Sequence, residues 1–200
     1  MADKKTSDYI SSPLQKTPIA DMIFIYLAQP DVKFGDPKYG FTLVLDSKVP
    51  EHVAFLDGLN KLNDTVGQEL LKGITKGRNA FRVKDVCKAE EDDDGNPTGK
   101  YFLKCVSKQQ RPVLDSKGQV IPADILRKIG SGSKGRALLS IKKSIASQHK
   151  TVGITMYLDK VQVVSVVEYS GGSGSSGFDA VDGGFTADVH PAIDGDGGNF

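Results

Sequence analysis

The chain has 200 residues, of which 38% are hydrophobic and 26% charged, with no Trp and a formal net charge of +1. Two cysteines, Cys87 and Cys105, and three histidines, His52, His149 and His190, are too few and too scattered for a disulfide framework or a zinc site, so no metal or cofactor is expected. The first residues carry no apolar run that would mark a signal peptide, and no stretch reaches the roughly 18 apolar residues of a membrane span, so a cytosolic chain with reduced thiols is expected.

The small net charge conceals a division. Residues 171–200 hold five of the acids (Asp179, Asp182, Asp188, Asp194, Asp196) and no Lys or Arg, which leaves residues 1–170 at +6. Within residues 100–150, twelve Lys or Arg face two acids, Asp115 and Asp124. A basic body carrying an acidic tail is the asymmetry to explain.

Residues 1–20 are polar, contain Pro13 and Pro18, and read as a loose arm. Residues 21–28 form the first predicted strand. Strand side chains alternate faces, which puts Ile23, Ile25 and Leu27 on one side and Phe24 and Tyr26 on the other. Residues 29–40, with Pro30, Gly35, Pro37 and Gly40, read as a loop, and residues 41–46 as a strand with Phe41, Leu43 and Leu45 inward. Residues 50–72 predict a helix. Pro50 suits its first position, Glu51 the positive end of its dipole and Gly73 its stop. Phe55, Leu59, Leu62, Val66 and Leu70 make its apolar stripe, and packing must offset the weakening by Gly58 and Gly67.

Residues 81–87 predict another strand, with Phe81 and Val83 opposing Arg82 and Lys84. Residues 90–99 read as a solvated acidic turn. A strand over 100–106 puts Tyr101, Leu103 and Cys105 on one face and Lys100, Phe102 and Lys104 on the other. Residues 122–128 read as a short helical turn, and residues 136–142 as a strand with Ala137, Leu139 and Ile141 inward. The longest strand runs over 151–168. There Val152, Ile154, Met156 and Leu158 share a face, Tyr157 has the opposite parity, and the pattern blurs at 159–163 as at a β-bulge. From residue 170 the chain is Gly, Ser and Asp with few apolar anchors, and is expected to be disordered.

The expected fold is therefore mainly β: an OB-fold-like, five-stranded Greek-key barrel with one helix between strands 2 and 3, plus a disordered acidic C-terminal tail. Its bounds are an arm over 1–20, a barrel domain over 21–169 and a tail over 170–200.

Catalysis finds little support. The run Gly130-Ser131-Gly132-Ser133-Lys134-Gly135 matches G-x-G-x-x-G, but a strand-like segment follows it where a dinucleotide site needs a helix, so it reads as a basic turn. No Gly-x-Ser-x-Gly elbow introduces a helix, and His149 has no orienting carboxylate nearby in sequence. Single-strand binding, by contrast, needs cations for phosphate and flat rings for bases on one surface. The polar strand faces offer Phe24, Tyr26, Phe102 and Tyr157 for stacking. Lys38, Arg82, Lys84, Lys100, Lys104, Lys108, Arg111, Lys134 and Arg136 are available for phosphate. The tail ends on Phe200, which gives a partner pocket both a ring and a carboxylate to hold.

These residues resemble the single-stranded DNA-binding proteins of T-seven-like and related short-tailed phages. The resemblance rests on Phe24-Ile25-Tyr26-Leu27-Ala28-Gln29-Pro30-Asp31, Phe34-Gly35-Asp36-Pro37-Lys38, Lys104-Cys105, Leu114-Asp115-Ser116-Lys117-Gly118, the Gly-rich turn from Gly130, Thr151-Val152-Gly153 and the acidic tail ending in Phe200, in that order. The segment Ile145-Ala146-Ser147-Gln148-His149-Lys150 departs from it by lacking aromatics.

The resemblance implies an OB-fold that binds single-stranded DNA with little sequence preference in phage replication and recombination, in the host cell cytoplasm. It also implies a DNA contact at Lys38. The tail residues Asp179, Asp182, Asp188, Asp194, Asp196 and Phe200 would compete for the DNA groove and contact the phage DNA polymerase and helicase-primase. Oligomeric state stays open, with a homodimer among the options. Two other readings remain: a protein-interaction module that binds an acidic partner through its basic barrel, and a metal-dependent nuclease built on the acidic turn.

Overall fold

The computed structural model describes residues 14–168 except Phe34 and Lys76. All belong to the first of the two units, Met1–Tyr169 and Ser170–Phe200, into which the chain divides. The expectations for the acidic tail and for the first thirteen residues of the arm fall outside the described residues.

In chain order the elements are β1 (Gln15–Lys16), β2 (Ala20–Asp31), β3 (Lys38–Asp46), α1 (Pro50–Gly73), β4 (Arg82–Val83), β5 (Lys88–Glu91), β6 (Pro97–Ser107), β7 (Val113–Leu114), α2 (Ala123–Leu126), β8 (Lys134–Ala146) and β9 (Thr151–Ser165). Among the described residues, nine strands form one mixed sheet in the order β4-β9-β8-β2-β3-β6-β5, with β1 added beside β8 and β7 beside β9. The pairings of β4 and β7 with β9 are parallel and the others antiparallel. β6 also packs against β9 across the core, so the sheet curls rather than lying flat. This mainly β architecture with one long helix is consistent with an OB-like fold. The expected count of five strands is too low. The two-residue strands β1 and β7 are too short to carry a period, β5 lies in what reads as an acidic turn, and the strand predicted over 81–87 shrinks to β4.

The core-facing residues of β3, β6, β8 and β9 are those the alternation predicts: Phe41, Leu43, Leu45, Leu103, Cys105, Ala137, Leu139, Ile141, Val152, Ile154 and Leu158 are all buried. The bulge expected in the last strand is present. Leu139 pairs with Leu158 and Leu138 with Lys160, so Asp159 is the extra residue. The buried parity changes there, from Leu158 before it to Val161 and Val163 after it.

The face assignment for β2 is corrected. Ile23 pairs with Thr42 and Tyr26 with Gly40, which leaves one residue too many on β2. The extra length is taken up around Phe24, whose backbone has φ 51°. Ala20 and Met22 before this bulge and Leu27 after it are the buried residues of β2, while Ile23 and Ile25 are half-buried. The predicted loop over 29–40 shortens too, because β2 runs through Asp31 and β3 starts at Lys38.

The helix starts and stops as expected, but its buried stripe is rotated. His52, Leu56, Leu59, Asn63, Val66 and Gly67 are buried, whereas Phe55, Leu62 and Leu70 only border the core. Two polar side chains, His52 and Asn63, take buried positions because each both donates and accepts a hydrogen bond. The His52 Nδ1 accepts from the Asp46 amide at 2.9 Å, so Nε2 carries the proton and donates to the Ile19 carbonyl at 3.0 Å. Asn63 donates to the Lys84 carbonyl and accepts from the Ile154 amide, stapling α1 to β9. Gly67 suits the contact with β4: a Cβ there would stand 2.6 Å from a Val83 methyl.

The arm is anchored before residue 20. Thr17 is buried and exchanges hydrogen bonds with Ala137, its amide donating to the carbonyl and its hydroxyl accepting from the amide.

Candidate nucleic-acid interface

One wall of a broad concavity follows from the β3–β6 ladder. Opposed residues in an antiparallel pair share a face. Leu43 therefore sits with Leu103 and Phe41 with Cys105 on the core side, and Thr42 with Lys104 and Gly40 with Val106 on the other. Phe102 lies between Lys100 and Lys104 on that outer side, as predicted. β2 adds Phe24 and Tyr26, and β3 adds Lys38. Gly40 is needed in this wall. Its φ is 148°, and a Cβ there would overlap the Cys105 carbonyl oxygen.

Together these form a groove of about 1580 Å³ lined by Phe24, Tyr26, Lys38, Phe102 and Lys104. Phe24 is 65% exposed although it sits mid-strand. A bulky side chain at positive φ is a rare and strained arrangement. The β2 bulge presents this ring to solvent.

The opposite wall is acidic, which the sequence reading missed. α1 contributes Asp57, and the segment around β5 contributes Asp85, Glu90, Glu91 and Asp92 together with one cation, Lys88, while Asp31 stands on the lysine side opposite Lys38. The run from Glu90 had read as a solvated loop tip. Its far end is one: Asp92 closes the turn by accepting from the amides of Asp94 and Asn96, which holds its carboxyl below the usual range. Its near end pairs with β6 and so reaches the groove. The pairing partner, not the composition, decides which acids face inward. A phosphate chain in this groove would be held to the lysine side and repelled from the acidic side.

The other predicted phosphate ligands are dispersed. Lys100 continues the Phe102 row but does not line the groove, and Arg82 is exposed on β4. Lys84 is half-buried and donates to the Thr155 hydroxyl at 2.8 Å, and burial lowers its pKa. Lys108 pairs with Asp36 at 2.7 Å and Lys134 lies 3.9 Å from Asp21. The Arg111 Nε donates to the Ser107 hydroxyl. Arg136 donates to Gln162 on the outer face of β8–β9. Tyr157 is on that face as well, 41% exposed, with the Lys142 ammonium 5.1 Å from its ring centre.

Groups that could act in covalent chemistry are poorly placed. Cys87 lines the groove, but burial pushes its thiol up to about 12, so it stays protonated. The Gly-rich turn leads into β8, and Ser133 locks it by donating to the Gly130 carbonyl and accepting from the Val167 amide. No helix starts there to hold a dinucleotide.

No protein-family model matches the sequence, and no curated protein matches it significantly. Solved structures do match. The single-stranded DNA-binding protein gp2.5 of bacteriophage T7 aligns with a TM-score of 0.62 at 17% identity, over 88% of this chain and 98% of that one. The single-stranded DNA-binding protein of bacteriophage Enc34, solved in complex with single-stranded DNA, aligns with a TM-score of 0.59 at 18% identity, over 84% of this chain and 96% of that one. A C-terminally truncated form of the Enc34 protein gives 0.58 at 17% identity, over 82% and 94%. The chain therefore shares the fold of these phage single-stranded DNA-binding proteins.

Proposed function

We propose that this protein binds single-stranded DNA with little sequence preference and without catalysis, in phage DNA replication and recombination in the host cytoplasm. The observation that carries this reading is the groove wall, where Phe24, Tyr26 and Phe102 stand among Lys38 and Lys104. Bases stack on the rings at about 1–3 kcal/mol each whatever their identity, while the lysines follow the phosphates. The Enc34 complex with single-stranded DNA supports the ligand class on the same fold. Lys38 and Lys104 serve as the primary phosphate ligands in this account. The remaining predicted cations act as an outer field.

The tail residues Asp179, Asp182, Asp188, Asp194 and Asp196 compete with DNA for the groove, and Phe200 helps recruit the replication polymerase and helicase-primase. Titrating fluorescent oligo-dT and a duplex of equal length, each with magnesium present, tests the reading. Preferential binding of oligo-dT, with both DNAs intact afterwards, is expected. Equal preference for duplex, or shortening of the oligonucleotide, would contradict it.

A further inference from the structure

The bulge at Asp159 has a result on the outer face of the sheet. It shifts the parity of β9 so that Lys160 and Gln162 lie outward, paired with Leu138 and Arg136. From the other side of β8, Lys16 of β1 also pairs with Leu138. Leu138 thus lies between two exposed lysines on one face, their backbones about 10 Å apart at ordinary strand spacing. Arg136 stands two residues along. These cations line a cleft of about 180 Å³ with Leu114, Leu138 and Gln162, and no acid lines it.

None of the three cations is in an ion pair among the described residues. Arg136 is oriented through its Nε by Gln162, which in turn donates to the Asp115 carbonyl. Gathering like charges without a counter-charge costs stability, and a bound polyanion offsets that cost.

We propose that this cleft is a second phosphate-binding subsite for the DNA strand that occupies the groove, a proposal that rests on the single-strand reading above. A path joins the two. Lys38 of the groove wall neighbours Asp36, Asp36 pairs with Lys108, and Lys108 lies near Tyr157. Tyr157 pairs with Ser140 on the same outer face as Arg136, four residues away along β8, or about 13 Å. A few nucleotides span that distance. One phosphate cannot engage cations spread over about 10 Å, so a chain of phosphates fits better than a free ion. The apolar floor of Leu114 and Leu138 can take a base or sugar.

The test uses the full-length chain and oligo-dT of about 5 and about 20 nucleotides, one near the lower end of the usual range of an OB-fold site and one beyond its upper end. The double variant Lys16→Gln/Lys160→Gln removes two exposed charges and should melt no lower than the wild type. It should bind the short oligonucleotide normally and the long one about tenfold more weakly, with a log–log salt slope shallower by about 1.4. Phe24→Ala should weaken both lengths. Unchanged or tighter binding of the long oligonucleotide by the lysine variant would overturn the second subsite and leave the groove reading standing. A wild type that binds neither length would overturn the groove reading itself.

Discussion

The Lys108 ammonium donates to the Asp36 carboxylate at 2.7 Å, beside Lys38 at the groove wall. The hydrogen bond and charge of Lys108 hold the Asp36 carboxyl below its usual range, and Asp36 raises the lysine in return. Both side chains are exposed, so the pair contributes little to stability. Its consequence is electrostatic: Asp36 neutralises a cation next to the DNA path. Asp36→Asn should therefore tighten binding to oligo-dT several-fold at low salt and steepen the salt slope by about 0.7, one further phosphate contact. Fluorescence anisotropy across a salt series measures both quantities.

Phe24 should separate binding from stability. Its positive φ costs about 1–2 kcal/mol for a residue with a side chain, and glycine does not bear that cost. Phe24→Gly should lose about 1–3 kcal/mol of DNA affinity while melting no lower than wild type. Phe102→Ala should weaken binding by a similar amount and keep a cooperative melt. Thermal denaturation alongside oligo-dT titration reads both.

Asn63 should behave in the opposite way. Asn63→Leu leaves the Ile154 amide buried without its acceptor. That should destabilise the fold by about 1–3 kcal/mol in chemical denaturation, with DNA affinity per folded molecule unchanged.

The contrast between Phe24 and Asn63 marks what could be read from the sequence. Alternation in residues 101–105 and 137–141 placed their core faces correctly because Lys104 and Ser140 mark the outward side of each run, even though Phe102 and Leu138 on that side are apolar. Residues 22–28 are apolar almost throughout, so a one-residue slip at Phe24 leaves no trace in the pattern. The bulge at Asp159 was legible because a charge interrupts an apolar run. His52 and Asn63 lie outside the predicted apolar stripe, and their partners, Ile19, Asp46, Lys84 and Ile154, lie elsewhere in the chain. The acidic wall was missed for the same reason: Glu90 and Glu91 face the groove only once β5 has paired with β6. Phe24, Tyr26, Lys38, Phe102 and Lys104 are among the sequence's candidates and line one groove, but nothing in the sequence separates them from Tyr157 on the outer face or from Lys108 and Lys134, which are paired with acids.

Deleting residues 171–200 removes five acids and no base, taking the chain from +1 to about +6. A tethered acidic segment can reach a millimolar effective concentration, so even weak contacts compete with DNA. The deletion should bind oligo-dT more tightly than the full chain, with the gap shrinking as salt rises. Phe200→Ala should leave DNA affinity unchanged and weaken capture by the cognate polymerase. Parallel titrations against DNA and polymerase distinguish the two effects.

The central claim is that the lysine and aromatic wall of the groove holds a single DNA strand. The most direct measurement is the salt dependence of oligo-dT affinity for the full chain and for Lys38→Ala/Lys104→Ala. The account predicts a linear log–log plot for the wild type and a slope shallower by about 1.4 for the double variant, at about 0.7 for each lost phosphate contact. Superimposable plots for the two proteins would place the DNA elsewhere on the molecule and contradict the account.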